Sequence, residues 1–172
     1  MKYAGSIILL GGCAALALSG NIPTTTLPSG TKLPMMYMGA GNLTDWVKLV
    51  GKGAGVKTAW GYHNQPSILP QVYAAGLKRE DIFLESMVPC GFVDHPAPQN
   101  KSTAADFIRQ DLQLLNTTYV DLIAIHHQCN TPEETAEVWS ALGERALLRQ
   151  FPFNIHTTLS VCTGNPIARG CA

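Results

Sequence analysis

The sequence predicts an α/β fold with a parallel sheet made of about four strand–helix units. Short apolar runs alternate along the chain with longer segments of helical periodicity, and glycine or proline separates many of them. Strands that alternate with helices pair in parallel through right-handed crossovers. The chain has 172 residues, of which 46% are hydrophobic, so it can form one domain with a packed core.

Four apolar runs are the predicted strands, and each has a length that suits a strand of a buried sheet. The first run ends at Gly39, and the third is closed by Pro89. Glycine and proline at these places are typical of turns. The predicted strands cover residues 35–38, 56–60, 82–88 and 120–125.

The predicted helices carry apolar residues at helical spacing. The strongest helix start is Thr131, where a hydroxyl cap is followed by Pro132 and two acidic residues. An earlier start at Thr103 has Asp106 three residues further on, in the manner of a capping box. The predicted buried faces lie within residues 46–50, 68–75, 107–115 and 138–142.

The N-terminal segment differs from the rest of the chain. A short basic start with Lys2 precedes an apolar run over residues 6–18, and small residues follow. This is the layout of a secretory signal peptide, and the run is shorter than the roughly 20 residues that span a bilayer. We expect residues 1–20 to be a signal peptide or a signal anchor, with a buried helix as the alternative. The protein is then expected in the secretory pathway or outside the cytoplasm, attached to a membrane if the segment is retained.

The remaining chain divides into a domain and a tail. Residues 21–148 carry the strand–helix pattern, whereas residues 149–172 contain prolines, glycines and two cysteines without periodicity. Export would permit disulfides, so Cys162 and Cys171 are candidates to close a small loop in the tail. The 12 basic residues balance the 12 acidic ones, which predicts no nucleic-acid partner.

A cluster of histidines with a cysteine is a candidate metal site. His126, His127 and Cys129, together with His63 or His95, have the side chains that zinc prefers. Adjacent residues on a strand point to opposite faces, so the first two histidines would diverge unless the strand has already ended. The sequence therefore predicts no metal.

Residues able to do chemistry follow three of the predicted strands. The second strand leads into residues 57–65, the third ends at residues 85–87, and the fourth ends at residues 125–129. In parallel α/β folds the reactive side chains gather at the carboxyl ends of the strands. We therefore expect these three segments to lie together.

In order and spacing these segments resemble the aldo-keto reductase family. That family has Asp-Thr-Ala, a tyrosine and an Asn-Glu pair after its second strand, a lysine ending its third, and Val-Asp-Leu followed by Ile-His on its fourth. Residues 27–34 are similar to the family's N-terminal hairpin, and the match covers roughly residues 27–142. The matching residues are Thr58, Ala59, Tyr62, Asn64, Gln65, Val120, Asp121, Leu122, Ile125 and His126.

The resemblance implies a (β/α)8 barrel, which needs about 250 residues when complete. Four strand–helix units after the hairpin make a partial TIM barrel, so residues 21–148 are expected to form an aldo-keto reductase-like half barrel. Its first and last strands would be open edges. We therefore expect a second half-barrel as partner, or self-association through these edges.

The resemblance also implies an oxidoreductase that reduces a small carbonyl substrate with NADPH or, less often, NADH. Tyr62 would be the general acid that protonates the carbonyl oxygen, and His126 would orient the carbonyl by hydrogen bonding. Gly39 and Ala40, at the end of the first strand, match a family position near the nicotinamide.

Two positions depart from the family pattern. Lys57 stands where the family has aspartate, and Met87 stands where it has lysine. A free tyrosine has a pKa near ~10, and a neighbouring cation makes it a useful proton relay by stabilising the phenolate. Methionine cannot supply that charge.

Two hypotheses follow from these departures. In the first, the protein is an active reductase in which the ammonium of Lys57 lies beside Tyr62. In the second, it is a catalytically impaired pseudoenzyme or truncated fragment, acting as a binding module or not at all, and Lys57 merely occupies a solvated strand end.

Overall fold

The computed structural model describes residues 22–27, 30–39, 43–91 and 99–147. The expected leader over residues 1–20 and the tail over residues 149–172 lie outside the described residues. Ala40, His95 and the two tail cysteines lie outside them as well. No helix within the described ranges is long and apolar enough to cross a membrane.

An antiparallel hairpin opens the described chain. Strand β1 (Thr24–Thr26) pairs with β2 (Lys32–Pro34), and Thr25 lies opposite Leu33. At the hairpin's turn, the amide of Gly30 donates to the carbonyl of Leu27 over 2.8 Å. Gly30 has a φ of +84°, a left-handed conformation that glycine adopts at little cost. The hairpin occupies the place at which the sequence predicts it.

A four-stranded parallel sheet follows the hairpin. Its strands lie side by side in chain order, as they do in the wall of a barrel. They are β3 (Tyr37–Met38), β4 (Ala54–Lys57), β5 (Ile82–Val88) and β6 (Leu122–Ile125). The predicted α/β class, with a partial barrel after an N-terminal hairpin, is confirmed.

Helices connect the strands and cover one face of the sheet. They are α1 (Leu43–Val50), α2 (Gln65–Ala74), α3 (Lys101–Leu114) and α4 (Pro132–Leu147). Helix α4 starts as predicted, because Thr131 Oγ1 accepts from the amide of Glu134 over 3.1 Å. Helix α3 begins earlier than the predicted start at Thr103. Its cap is Asn100, whose side chain accepts from the amides of residues 102 and 103.

The two faces of the sheet have different characters because side chains alternate along each strand. One face packs its apolar side chains against the four helices. Full burial of such a side chain contributes roughly 1.5–3 kcal/mol. The residues at the centre of this core are Leu43, Val47, Val56, Ile68, Val72, Leu84, Val88, Leu115, Val138 and Leu142, each 0–1% exposed.

The other face of β4 and β5 would point into the barrel. It carries Gly55 and Lys57 on β4, which pair in register with Phe83 and Glu85 on β5. Met87 follows on the same face, and Glu85 and Met87 are both buried. The carboxyl end of this face is where the candidate site lies.

An ion pair between a buried arginine and a partly exposed aspartate joins the amino ends of β5 and β6. Arg79 Nη2 donates to Asp121 Oδ2 over 2.8 Å and to the carbonyl of Tyr119 over 3.1 Å. The guanidinium also stacks on the Tyr119 ring at 4.0 Å. Asp121 Oδ2 accepts from the amide of Leu84 over 2.8 Å. Two members of the Tyr-Val-Asp-Leu segment therefore hold the strands together.

Candidate active site

The structure brings Tyr62 and His126 into contact at the carboxyl edge of the sheet. Tyr62 ends a short 3-10 turn (Trp60–Tyr62) after β4, and His126 directly follows β6. Tyr62 Oη lies 3.2 Å from His126 Nε2, and the two rings meet edge to face with centroids 5.2 Å apart. Tyr62 is 46% exposed, so its phenol can meet a ligand from solvent. Residues 64 positions apart thus form one hydrogen-bonding pair.

The rest of the segment after β4 forms the turn that presents Tyr62. Thr58 is buried, and its Oγ1 donates to Asn64 Oδ1 over 2.7 Å. The amide of Tyr62 donates to the carbonyl of Ala59 over 3.0 Å. His63 has a φ of +53°, a left-handed conformation that reverses the chain toward α2. These residues shape the turn and leave the side chain of Tyr62 exposed.

Lys57 is bound by a carboxylate rather than merely solvated. Its Nζ lies 2.9 Å from Glu85 Oε1, on the strand position directly opposite in register. The Glu85 side chain is 8% exposed and the Lys57 side chain 40% exposed. Within the described part of the chain, Lys57 makes no hydrogen bond to Tyr62. The charge at this edge is therefore a lysine–glutamate pair placed across β4 and β5.

Tyr37 and Met87 share the face of the sheet that carries Glu85. Burial, and then the negative charges of Glu85 and Asp121, raise the pKa of the Tyr37 phenol, which therefore stays protonated. Its hydroxyl is buried and has no hydrogen-bond partner among the described residues. Met87 is 6% exposed and adds no charge. Among the described residues, this face carries packed side chains and the Lys57–Glu85 ion pair, and the neutral Met87 places no cation beside Glu85.

A disulfide joins the segments that follow β5 and β6. Cys90 and Cys129 are bonded, with their Cα atoms 4.8 Å apart and both residues buried. Cys129 is therefore not available as a metal ligand beside His126. No group of three or more His, Cys, Asp or Glu residues within the described ranges is arranged to hold a metal ion.

Glu134 ties two loops of this edge to α4. Its carboxylate is buried and accepts from the amide of Gln99 over 2.5 Å and from the amide of Asn130 over 3.0 Å. Gln99 precedes α3 and Asn130 precedes α4. Together with the disulfide, this carboxylate holds the segment that carries His126.

The end of β3 places Gly39, the first predicted cofactor contact, at the carboxyl edge of the sheet. A Cβ built on Gly39 would meet no atom of the described residues within 4 Å. Ala40, the other predicted cofactor contact, lies outside the described residues, so only Gly39 can be placed.

The chain is similar to known proteins in sequence and in fold. No family model matches the sequence. An aldo-keto reductase from Mycobacterium sp. (strain MCS) is 26% identical over 131 residues, which are 72% of this chain and 44% of that protein. The chain resembles the N-terminal half of an aldo-keto reductase. It spans about half the length of the relatives it matches.

Solved aldo-keto reductases share the fold. The Brucella melitensis aldo/keto reductase superposes with a TM-score of 0.63 at 23% identity, over 74% of this chain and 50% of that one. The Bombyx mori aldo-keto reductase, solved in complex with NADP, gives a TM-score of 0.57 at 16% identity, over 74% of this chain and 48% of that one. At these sequence identities, the similarity to solved aldo-keto reductases shows a shared fold and nothing more.

Proposed function

We propose that this protein is a carbonyl reductase of the aldo-keto reductase type. The observation that carries the proposal is the 3.2 Å contact between Tyr62 Oη and His126 Nε2 at the carboxyl edge of the sheet. The family resemblance supports an NADP-dependent oxidoreductase, and the NADP complex of the Bombyx mori relative supports NADPH as the reductant.

A substrate carbonyl would sit against both side chains. Its oxygen would accept hydrogen bonds from Tyr62 Oη and His126 Nε2, which orients the carbonyl before reaction. NADPH, when bound, supplies the hydride. As the carbonyl oxygen becomes an alkoxide, it takes the Tyr62 proton, because an alkoxide is far more basic than a phenolate. The exposure of Tyr62 then allows water to return a proton to it.

The lysine on the strand that leads to the Tyr62 turn is already bound. The ammonium of Lys57 lies 2.9 Å from Glu85 Oε1, and Met87 is neutral. Neither position therefore supplies Tyr62 with an unpaired cation.

The same ion pair favours a second candidate function, a binding module without turnover. If catalysis depends on a cation beside Tyr62, a lysine held by Glu85 does not meet that need. Such a protein would keep the fold and bind a dinucleotide or a carbonyl compound without reducing it.

NADPH oxidation with a panel of aldehydes and ketones tests these functions. Tyr62→Phe should abolish turnover and leave NADPH binding by fluorescence unchanged. Tyr73→Phe is the matched control, because Tyr73 is similarly exposed but lies on α2, and it should retain wild-type activity. Saturable NADPH binding without turnover in the wild type supports the binding module. Equal turnover by Tyr62→Phe and the wild type contradicts the proposed role of Tyr62.

The role of Lys57 has its own test. If its ammonium stabilises charge at Tyr62, Lys57→Met should lower the reduction rate more than Glu85→Gln does, because only the first removes the cation. Unchanged activity in Lys57→Met would exclude a catalytic role for this lysine.

We also propose that the half barrel pairs with a second half-barrel or with itself through its outer strands. Strands β3 and β6 have no outer neighbour among the described strands. Light scattering during size-exclusion chromatography would test self-association, and a strictly monomeric mass over a wide concentration range would contradict it.

We propose a location in the secretory pathway or outside the cytoplasm, and the Cys90–Cys129 disulfide supports it because such bonds persist in oxidising compartments. Thiol labelling of the protein directly from cells would test this, and free Cys90 and Cys129 would contradict it.

A further inference from the structure

A buried polar network lies directly behind the turn that carries Tyr62. Gln65, the first residue of α2, is fully buried. Its Nε2 donates to the carbonyl of Ala59 over 2.8 Å and to the carbonyl of Trp60 over 2.9 Å. These two carbonyls belong to the turn that ends at Tyr62. One side-chain amide therefore holds the turn from inside the core.

Asp111 holds that amide in turn. It lies on α3 and is 2% exposed. Its Oδ1 accepts from Gln65 Nε2 over 2.9 Å, and its Oδ2 accepts from the hydroxyl of Ser86 on β5. No lysine or arginine within the described ranges forms an ion pair with Asp111. The carboxylate is thus committed to two hydrogen-bond donors that lie on different elements.

The orientation of the Gln65 amide is determined by its surroundings. Nε2 faces three acceptors, whereas Oε1 is buried with no hydrogen-bond partner among the described residues. A flipped amide would place an oxygen against two carbonyls and a carboxylate. A buried polar atom left unpaired costs free energy, so this arrangement is kept at the expense of Oε1.

Tyr62 itself is only partly enclosed by the rest of the fold. It is 46% exposed, and its turn has three residues. We propose that Gln65 and Asp111 are positioning residues for Tyr62, an inference that rests on the proposed function. They fix the backbone at Ala59 and Trp60, which keeps the phenol within reach of His126 Nε2.

Nitrogen-15 NMR of the His126 ring tests the proposal without any catalytic turnover. The His126 signals are assigned with His126→Gln, and Tyr62→Phe defines the shift of Nε2 when its phenol partner is lost. We expect Gln65→Met, which keeps the length of the side chain and removes its donor, to move Nε2 in the same direction. Because both variants break the same contact between Tyr62 and His126, the double variant Tyr62→Phe with Gln65→Met should have the same Nε2 chemical shift as Tyr62→Phe alone.

Gln71→Met is the matched control. Gln71 lies on the same helix and accepts from the amide of Leu43 over 2.9 Å, away from the Tyr62 turn. It should leave the His126 signals at their wild-type positions. Wild-type His126 signals in folded Gln65→Met would overturn the proposal, and so would equal shifts in both glutamine variants.

A milder variant covers the case in which Gln65→Met does not fold. Ser86→Ala removes the hydroxyl that donates to Asp111 Oδ2. It should move the His126 Nε2 chemical shift part of the way toward its value in Tyr62→Phe. Unchanged His126 signals in Ser86→Ala, with Gln65→Met unfolded, would overturn the proposal.

Kinetics separate this inference from the proposed function. If the protein is a reductase, Gln65→Met should lower kcat/KM about 100-fold, as expected for a misplaced reacting group. If Tyr62→Phe leaves turnover unchanged while Gln65→Met still shifts His126, the proposed function fails and the positioning role stands.

Discussion

The two edges of the parallel sheet differ in how far their ion pairs are enclosed. At the amino edge, Arg79 and Asp121 are bound to each other and to backbone groups of neighbouring segments. At the carboxyl edge, Lys57 is partly exposed and Tyr62 presents its phenol to solvent. In barrels of this kind the amino edge serves stability and the carboxyl edge serves chemistry. In this chain the better enclosed ion pair lies at the amino edge, and the proposed chemistry lies at the carboxyl edge.

The largest effect on stability is expected at the amino edge. Asp121→Ala leaves Arg79 buried without its carboxylate and the amide of Leu84 without its acceptor. We expect the free energy of unfolding, measured with urea, to fall by about 3–5 kcal/mol. Lys52→Ala, which breaks an exposed ion pair with Asp81 at the same edge, should change it little. Equal losses in the two variants would contradict this difference.

The second effect concerns the covalent tie at the carboxyl edge. The Cys90–Cys129 disulfide spans a sequence separation of 39 residues. Replacing both cysteines by alanine should lower the free energy of unfolding by about 2–4 kcal/mol, mainly because the unfolded chain gains freedom. Urea unfolding of the wild type with and without reductant gives the same comparison. Coincident curves would show that the bond does not contribute.

The third effect is on activity and sharpens the role of charge at the carboxyl edge. Lys57→Asp combined with Met87→Lys restores the family's charge arrangement beside Tyr62. Because general acid–base catalysis contributes about 10²–10⁴-fold, we expect at least about a 10-fold rise in kcat/KM for carbonyl reduction. Met87→Leu is the neutral control. A double variant no faster than this control would mean that the missing cation does not limit the rate.

The smallest effect is a pH dependence in the buried network. Burial raises the pKa of Asp111 above its usual 3.8, although hydrogen bonds from Ser86 and Gln65 oppose the rise. Between 3.8 and the raised pKa the folded state binds more protons than the unfolded state, so stability falls as the pH rises through that window. Asp111→Asn lacks this titration. Urea unfolding from about pH 4 to 7 should therefore show that the free energy of unfolding of the wild type, relative to that of Asp111→Asn, rises as the pH falls.

The fold and the meeting of the segments that carry Tyr62 and His126 are predictable from simple periodicities, whereas the choice of these two residues comes from the family resemblance. Short apolar runs between helical segments predict parallel strands, and parallel strands bring their carboxyl ends to one edge. The second strand lies earlier than predicted, since the apolar run predicts residues 56–60 and the strand is Ala54–Lys57. Ala59 is buried like a strand residue, but it belongs to the turn that Gln65 holds.

The partners at the site could not be predicted because they depend on register. Nothing local links Lys57 to Glu85 until the two strands are aligned. The disulfide likewise needs β5 and β6 to be neighbours, although each cysteine lies shortly after a predicted strand end. Asp111 had a local signal, because it falls within the apolar stripe of α3 between Ile108 and Leu112. A charge in a buried stripe indicates a partner without naming it.

The disulfide also makes a closed covalent ring of the chain between residues 90 and 129. His126 and Asp111 are both members of that ring. A protease that cuts any single peptide bond inside it would leave the two pieces attached, and His126 would stay linked to the end of β5. A single cut within this ring therefore cannot separate His126 from β5 while the two cysteines remain oxidised.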